Sequence, residues 1–185
     1  MSKKESITIC IPLYNEYELI DELSSNLNKL YEDLIKNIEV KFLLVDDGST
    51  DDTFSRLNET FINKNIYKII KHEKNLNLGG FLRTSIDYSN SDYIAFLDSD
   101  STFDPQLVVP MLELIKNNYD IVNASPYHPE GQTVGVGIIR KIISKTANNI
   151  YKKILNVNVY TFTSILKIYK LENIKNIKIE TEGFV

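Results

Sequence analysis

Val40-Lys41-Phe42-Leu43-Leu44-Val45-Asp46-Asp47-Gly48-Ser49-Thr50-Asp51-Asp52-Thr53 runs from an apolar, β-rich segment through an acidic turn to a helix start. Val40–Val45 reads as a buried strand, and Asp46–Asp52 is rich in turn formers. Ser49 or Thr50 followed by Asp51 and Asp52 looks like a helix N-terminus, opening a short helix over Thr53–Asn63. The same unit recurs on both sides. Ile7–Leu13 is a strand, and a helix follows over Glu16–Asn37 with Leu19, Ile20, Leu23, Leu27, Leu30 and Leu34 along one stripe. Ile66–Lys71 is a third strand with a helix near Gly80–Tyr88. Tyr93–Leu97 is a fourth with a helix over Pro105–Asn117, and Asp120–Ala124 is a fifth. This βα repeat implies an α/β fold, a mostly parallel sheet flanked by helices on both faces. Ligands of such sheets gather beyond the carboxyl ends of the strands.

The chain has 185 residues, which suits a single domain with its own core. With 43% apolar and 25% charged residues it is not a disordered chain. Cys10 is the sole cysteine, which excludes an intrachain disulfide and a Cys-based zinc site. The first apolar run is short and broken by Pro12, unlike a signal peptide. No run approaches the roughly 20 apolar residues of a spanning helix. A cytoplasmic protein is expected, at most peripheral on the cytoplasmic face of a membrane.

The net charge of −4 is unevenly spread. Gly131–Leu171 holds Arg140, Lys141, Lys145, Lys152, Lys153, Lys167 and Lys170 and no acid, while the remainder carries −11. An acidic body argues against nucleic acid as partner. The basic segment fits a local anionic partner such as phosphate, diphosphate or acidic lipid, or else a solvated helix face.

Three acidic or polar loops follow strands on one edge: Pro12-Leu13-Tyr14-Asn15-Glu16, Asp46–Thr53 and Asp98-Ser99-Asp100. Crowded carboxylates repel unless a cation or hydrogen-bond donors compensate. No phosphate loop ending in Lys-Ser/Thr and no G-x-G-x-x-G is present, so P-loop and ordinary dinucleotide readings are weak. Asp98 and Asp100, one residue apart, suit Mg2+ or Mn2+, which takes one or two carboxylates together with substrate phosphates. The alternative is that both cap a loop, although Asp104-Pro105 already starts the next helix. Asp46 or Asp47 at a strand end can accept a hydrogen bond from a nucleobase N–H. Tyr14 and Glu16 reach the same cleft, unless Tyr14 is only packing. His72, at the end of the third strand, and His128 read as loop residues.

Ile-Pro-Leu-Tyr-Asn-Glu (11–16), Leu-Val-Asp-Asp-Gly-Ser-Thr-Asp-Asp-Thr (44–53), Asn-Leu-Gly-Gly-Phe-Leu-Arg-Thr (77–84) and Phe-Leu-Asp-Ser-Asp (96–100) occur in the order found in family 2 glycosyltransferases. The chain resembles that family, whose Rossmann-like fold is called GT-A. The resemblance implies a nucleotide-sugar donor, contacted by residues at Pro12, Tyr14, Glu16, Asp46, Asp47 and Ser99, with Gly79, Gly80 and Arg83 beside it. Asp98 and Asp100 match the metal-binding D-x-D and are the catalytic pair, with Mg2+ or Mn2+ as cofactor. Residues 1–124 would form the nucleotide-sugar-binding part, and 125–185 the acceptor side, of one domain spanning 1–185.

The second half is similar to the polyprenyl-phosphate sugar transferases, the dolichyl-phosphate mannosyltransferase-like group, at Ala-Ser-Pro-Tyr-His-Pro (124–129), Ser-Lys-Thr-Ala-Asn (144–148) and Tyr-Thr-Phe-Thr-Ser-Ile-Leu-Lys-Ile-Tyr (160–169). Two positions depart from the group. Thr163-Ser164-Ile165-Leu166-Lys167 stands where Thr-Ser-Gly-Phe-Arg is common, and Pro126 stands where Ser-Arg-Tyr has Arg. Relatives continue past Val185, so the chain is expected to be truncated at its C-terminus. Ile138–Leu155 forms an amphipathic helix, with Ile139, Ile142, Ile143, Ala147, Ile150, Tyr151 and Ile154 interleaved with bases. It faces either a bilayer interface or the core. The implied activity is inverting transfer to a dolichyl or undecaprenyl phosphate, whose anionic oxygen needs no strong base. Transfer to a saccharide hydroxyl would need one, for which only Glu180 and Glu182 are placed. The third reading is a non-catalytic nucleotide-binding remnant.

Overall fold

The computed structural model describes residues 4–61, 65–129, 131, 138–157 and 159–181, with only the backbone of 138–142. Among the described residues, six strands form one sheet in the order β3-β2-β1-β4-β6-β5. They are β1 (Ser6–Leu13), β2 (Glu39–Asp46), β3 (Tyr67–Lys71), β4 (Tyr93–Phe96), β5 (Ile121–Asn123) and β6 (Lys167–Lys170). The first four pair in parallel, and β6 runs antiparallel to both β4 and β5. The expected parallel α/β sheet is present, with one addition. The fold has a sixth strand that the βα repeat does not announce, and it lies inside the sheet.

Both faces are covered, which is why β1 from Ile7 and β2 from Phe42 to Val45 are almost wholly apolar. Ile7, Ile9 and Ile11 pack with Phe42 and Leu44 under α1 (Ile20–Leu34), α2 (Thr53–Phe61) and α4 (Val108–Lys116). Cys10, Leu43, Val45 and Phe96 point the other way, against Phe81 and Ile86 of α3 (Asn77–Tyr88) and against α6 (Leu171–Ile174). The strict alternation follows from the period of two along a strand.

Element ends differ from the sequence reading where polar loops intervene. The long first helix begins as a 3-10 turn at Tyr17–Leu19 and closes at Leu34. The fourth helix likewise opens with a 3-10 turn, Pro105–Leu107, and Asp104 caps it by accepting from the Gln106 N–H at 2.9 Å. The third helix starts earlier than expected, at Asn77. The basic helix α5 occupies Ile138–Leu155, as read from the sequence.

Candidate functional site

Because β1, β2 and β4 are parallel neighbours, the loops after Leu13, Asp46 and Phe96 leave the same edge. The first two loops are stitched together. Asn15, in the left-handed region at φ 55°, accepts from the Thr50 N–H at 2.8 Å and from the Asp51 N–H at 3.4 Å. The Asn15 N–H donates to Ser49 Oγ and the Glu16 N–H to Thr53 Oγ1. Gly48 takes φ 76° and lies so close to the next loop that a Cβ would fall 2.6 Å from the Lys74 carbonyl carbon. Glycine is required there on both counts.

The edge holds a cavity of about 420 Å³ whose lining includes Pro12, Tyr14, Glu16, Asp47, Asp98, Ser99 and Asp100. Seven residues singled out in the sequence thus share one hollow. Tyr14 is 43% exposed, so it is not a packing residue. Asp46, Gly79 and Arg83 do not line it. Asp46 is fully buried, with Oδ1 accepting from the Ser49 N–H at 3.1 Å and Oδ2 3.7 Å from Lys71 Nζ. Gly79 is buried in α3, and a Cβ on its neighbour Gly80 would overlap the Leu76 side chain. Arg83 donates to the carbonyls of Ile179 at 3.1 Å and Thr181 at 2.8 Å, clasping the C-terminal stretch to α3.

Two of the cavity's acids, Asp98 and Glu16, are pushed toward their neutral forms. Burial, then Asp100 and Glu16, push the Asp98 carboxyl up to about 6, partly offset by Lys167. Burial, opposed by a hydrogen bond from Ser99, and then Asp100 and Asp51 raise Glu16. Its Oε2 is buried with no hydrogen-bond partner among the described residues. Burial lowers Lys167 to about 8 against the pull of Asp98. Asp100 also accepts from the Thr102 N–H at 2.9 Å, so one of its oxygens shapes the turn.

Sequence reasoning missed several residues here. Lys167, on β6, is brought beside β4 by the Phe96–Lys167 register. The one hint was its place in a motif that commonly ends in Arg. Asn77 and Ile165, which lay within quoted motifs without being singled out, also line the cavity, as does Asn75, which no motif marked. His72 lies in the loop directly after β3, as read, but it does not face solvent. It is buried, with Nδ1 2.6 Å from Asp47 Oδ1 and Nε2 2.7 Å from Thr84 Oγ1. Glu180 is solvent-exposed and paired with Lys178 at 2.9 Å, whereas Glu182 lies outside the described residues.

No three His, Cys, Asp or Glu among the described residues form a ready cage for a metal ion. The donor set does suit a hard divalent cation. Asp98, raised by burial and then by its acidic neighbours, and Asp100 offer carboxylate oxygens, and Glu16 Oε2 is a buried oxygen with no hydrogen-bond partner among the described residues. Two carboxylates with room for phosphate oxygens make the partial shell that Mg2+ or Mn2+ completes on a substrate.

A doubly covered, mostly parallel sheet with an acidic cleft at its strand ends defines an α/β protein of the Rossmann-like class. The chain belongs to glycosyl transferase family 2, whose model matches residues 8–177. It is 28% identical over 141 residues to a dolichol-phosphate mannosyltransferase of Pyrococcus furiosus, covering 76% of this chain and 39% of that protein. It is 29% identical over 133 residues to the uncharacterized glycosyltransferase YkcC of Bacillus subtilis, covering 72% and 41%. The chain thus spans about two fifths of these relatives. Among solved structures it is similar to glucosyl-3-phosphoglycerate synthase from Mycobacterium tuberculosis in complex with Mn2+ and uridine-diphosphate-glucose. There the TM-score is 0.69 and the identity 17%, covering 97% of this chain and 61% of that one. S. aureus TarS follows at TM-score 0.65 and 23%, covering 92% and 48%. These neighbours establish the GT-A fold.

Proposed function

We propose that the protein moves a sugar, with inversion, from a nucleoside-diphosphate sugar to a polyprenyl phosphate at a membrane surface. The observation that carries this reading is the meeting of Asp47, Glu16, Asp98 and Asp100 in one cavity. Asp47, with Pro12 and Tyr14, would hold the nucleobase, while Asp98 and Asp100 would hold Mg2+ or Mn2+ on the diphosphate. When bound, such an ion acts as a Lewis acid on the leaving diphosphate. Ser99 and Glu16 order the acidic turn, and Lys167 offsets charge at Asp98. Gly79 and Arg83 act at one remove, through the packing of α3 and its clasp on 179–181.

A phosphate acceptor supplies an anionic oxygen, so attack opposite the leaving group needs no strong base. That fits a cavity whose carboxylates would be engaged by the cation and the nucleobase. Residues 1–124 would serve the donor and 125–185 the acceptor. A second, mainly apolar hollow of about 760 Å³, walled by Phe103, Leu107, Met111, Ile121 and Val159, suits a hydrocarbon acceptor. Along α5, Ile143, Ile150 and Ile154 stand exposed beside Lys145, Lys152 and Lys153, the pattern of a helix that lies in a bilayer interface. No helix among the described residues is long and apolar enough to cross a membrane. The likeness to a dolichol-phosphate mannosyltransferase supports the same acceptor.

The test is transfer of label from UDP-glucose, UDP-N-acetylglucosamine or GDP-mannose to a short polyprenyl phosphate in anionic liposomes with Mn2+. Lipid-extractable label with inverted anomeric configuration is expected. Transfer only to a saccharide hydroxyl, or donor binding with no transfer, would overturn the reading in favour of the corresponding alternative.

A further inference from the structure

His72 follows the last residue of β3 and sits 9% exposed between two elements. Its Nδ1 is 2.6 Å from Asp47 Oδ1, and its Nε2 is 2.7 Å from the Thr84 hydroxyl on α3. An ionised carboxylate only accepts, so Nδ1 carries a proton. The Leu76 N–H, just before α3, donates to the same Asp47 oxygen at 2.8 Å. Oδ1 therefore holds two donors fixed at the end of a strand and the start of a helix. A carboxylate held in this way is not free to turn about its Cβ–Cγ bond. Among the described residues nothing bonds Oδ2, which leaves that oxygen for the cavity Asp47 lines.

The geometry points to His72 as a positioning residue for nucleobase recognition, acting through Asp47 and steadied by Thr84. This inference rests on the donor reading above. One acceptor oxygen in a fixed direction suits a base whose ring nitrogen bears hydrogen beside a carbonyl, as in uracil and guanine. The ring nitrogens of adenine and cytosine present a lone pair at the corresponding edge and are repelled. A carboxylate free to rotate would turn toward their exocyclic amines and lose that discrimination. His72 thereby keeps Asp47 aimed at a ring N–H, which favours uridine and guanosine diphosphates over those of adenosine and cytidine.

The experiment measures the affinity of UDP, GDP, ADP and CDP for the wild-type protein and for His72→Gln, His72→Asn and Asp47→Asn. The Asn amide nitrogen sits where Nδ1 does and keeps the bond to Asp47, whereas the Gln amide mimics Nε2. The preference for UDP or GDP over ADP should fall about tenfold in His72→Gln, the scale of one hydrogen bond to a charged group. It should survive within about twofold in His72→Asn. Equal loss in both variants would reduce His72 to a brace between β3 and α3 and overturn its role. A protein that binds none of the four, or an Asp47→Asn variant with unaltered preference, would overturn the donor reading along with this inference. Loss of preference in Asp47→Asn with none in His72→Gln would overturn His72 alone. Imidazole 15N resonances of the wild-type protein, which has only two histidines, give a readout independent of variant folding. Protonated Nδ1 is expected at His72, and a bare Nδ1 refutes the arrangement.

Discussion

Replacing Asp98 by Asn should make the metal-free protein more stable while weakening its hold on a donor diphosphate. Burial, Asp100 and Glu16 raise the Asp98 carboxyl from the usual 3.8 to about 6. The folded state then binds the proton more tightly than the unfolded chain. Stability is therefore fullest below about pH 4, falls as pH climbs to about 6, and is level above. At 1.36 kcal/mol per pH unit the full loss is about 3 kcal/mol. Solvent screening at the cleft, and the loss of Lys167's counter-charge, reduce the gain expected for Asp98→Asn to about 1–2 kcal/mol at pH 7.5. Urea denaturation in EDTA at pH 4 and 7.5 measures it. The two proteins should be close at pH 4 and diverge at pH 7.5, and Mn2+ with donor should raise the melting temperature of the wild type alone. Destabilisation of the variant at pH 7.5, or an identical response to Mn2+ and donor, would refute the reasoning.

Gly48→Ala should cost at least about 2 kcal/mol, since it combines a left-handed backbone with a backbone clash; a urea midpoint within error of wild type would contradict it. Asn15→Ala should lose about 2 kcal/mol, part from its bond to Thr50 and part from φ 55°. Asn15→Gly, which keeps the backbone freedom, should lose about half as much in the same assay. Serine at Ile143, Ile150 and Ile154 together should abolish co-sedimentation with anionic liposomes and shift stability by less than about 1 kcal/mol, because all three are exposed.

The parallel half of the sheet was legible because strands buried on both faces write themselves as largely apolar runs, as Ile7–Leu13 does with Thr8 as its single polar residue. Lys167-Ile168-Tyr169-Lys170 gave no such signal. It is four residues long, has lysine at each end, and is a strand only because β4 and β5 pair with it. The site was legible as loops at strand ends, but not in its detail. Asp46 and Asp47 are neighbours of one type, yet Asp46 is sealed in by Ser49 and Lys71 while Asp47 reaches the cavity. A histidine after a strand looks the same whether it faces water or a carboxylate 25 positions back. Such distinctions arise in tertiary packing, which local pattern does not encode.

The place of β6 bears on how the molecule is made. During synthesis β4 emerges with one flank unpaired, and β5 has no partner strand until Lys170 has left the ribosome. For some seventy residues of elongation the nascent chain carries an open strand edge that another copy can pair with. A fragment ending at Ala124 would keep that edge permanently, so residues 1–124 are not a separable folding unit.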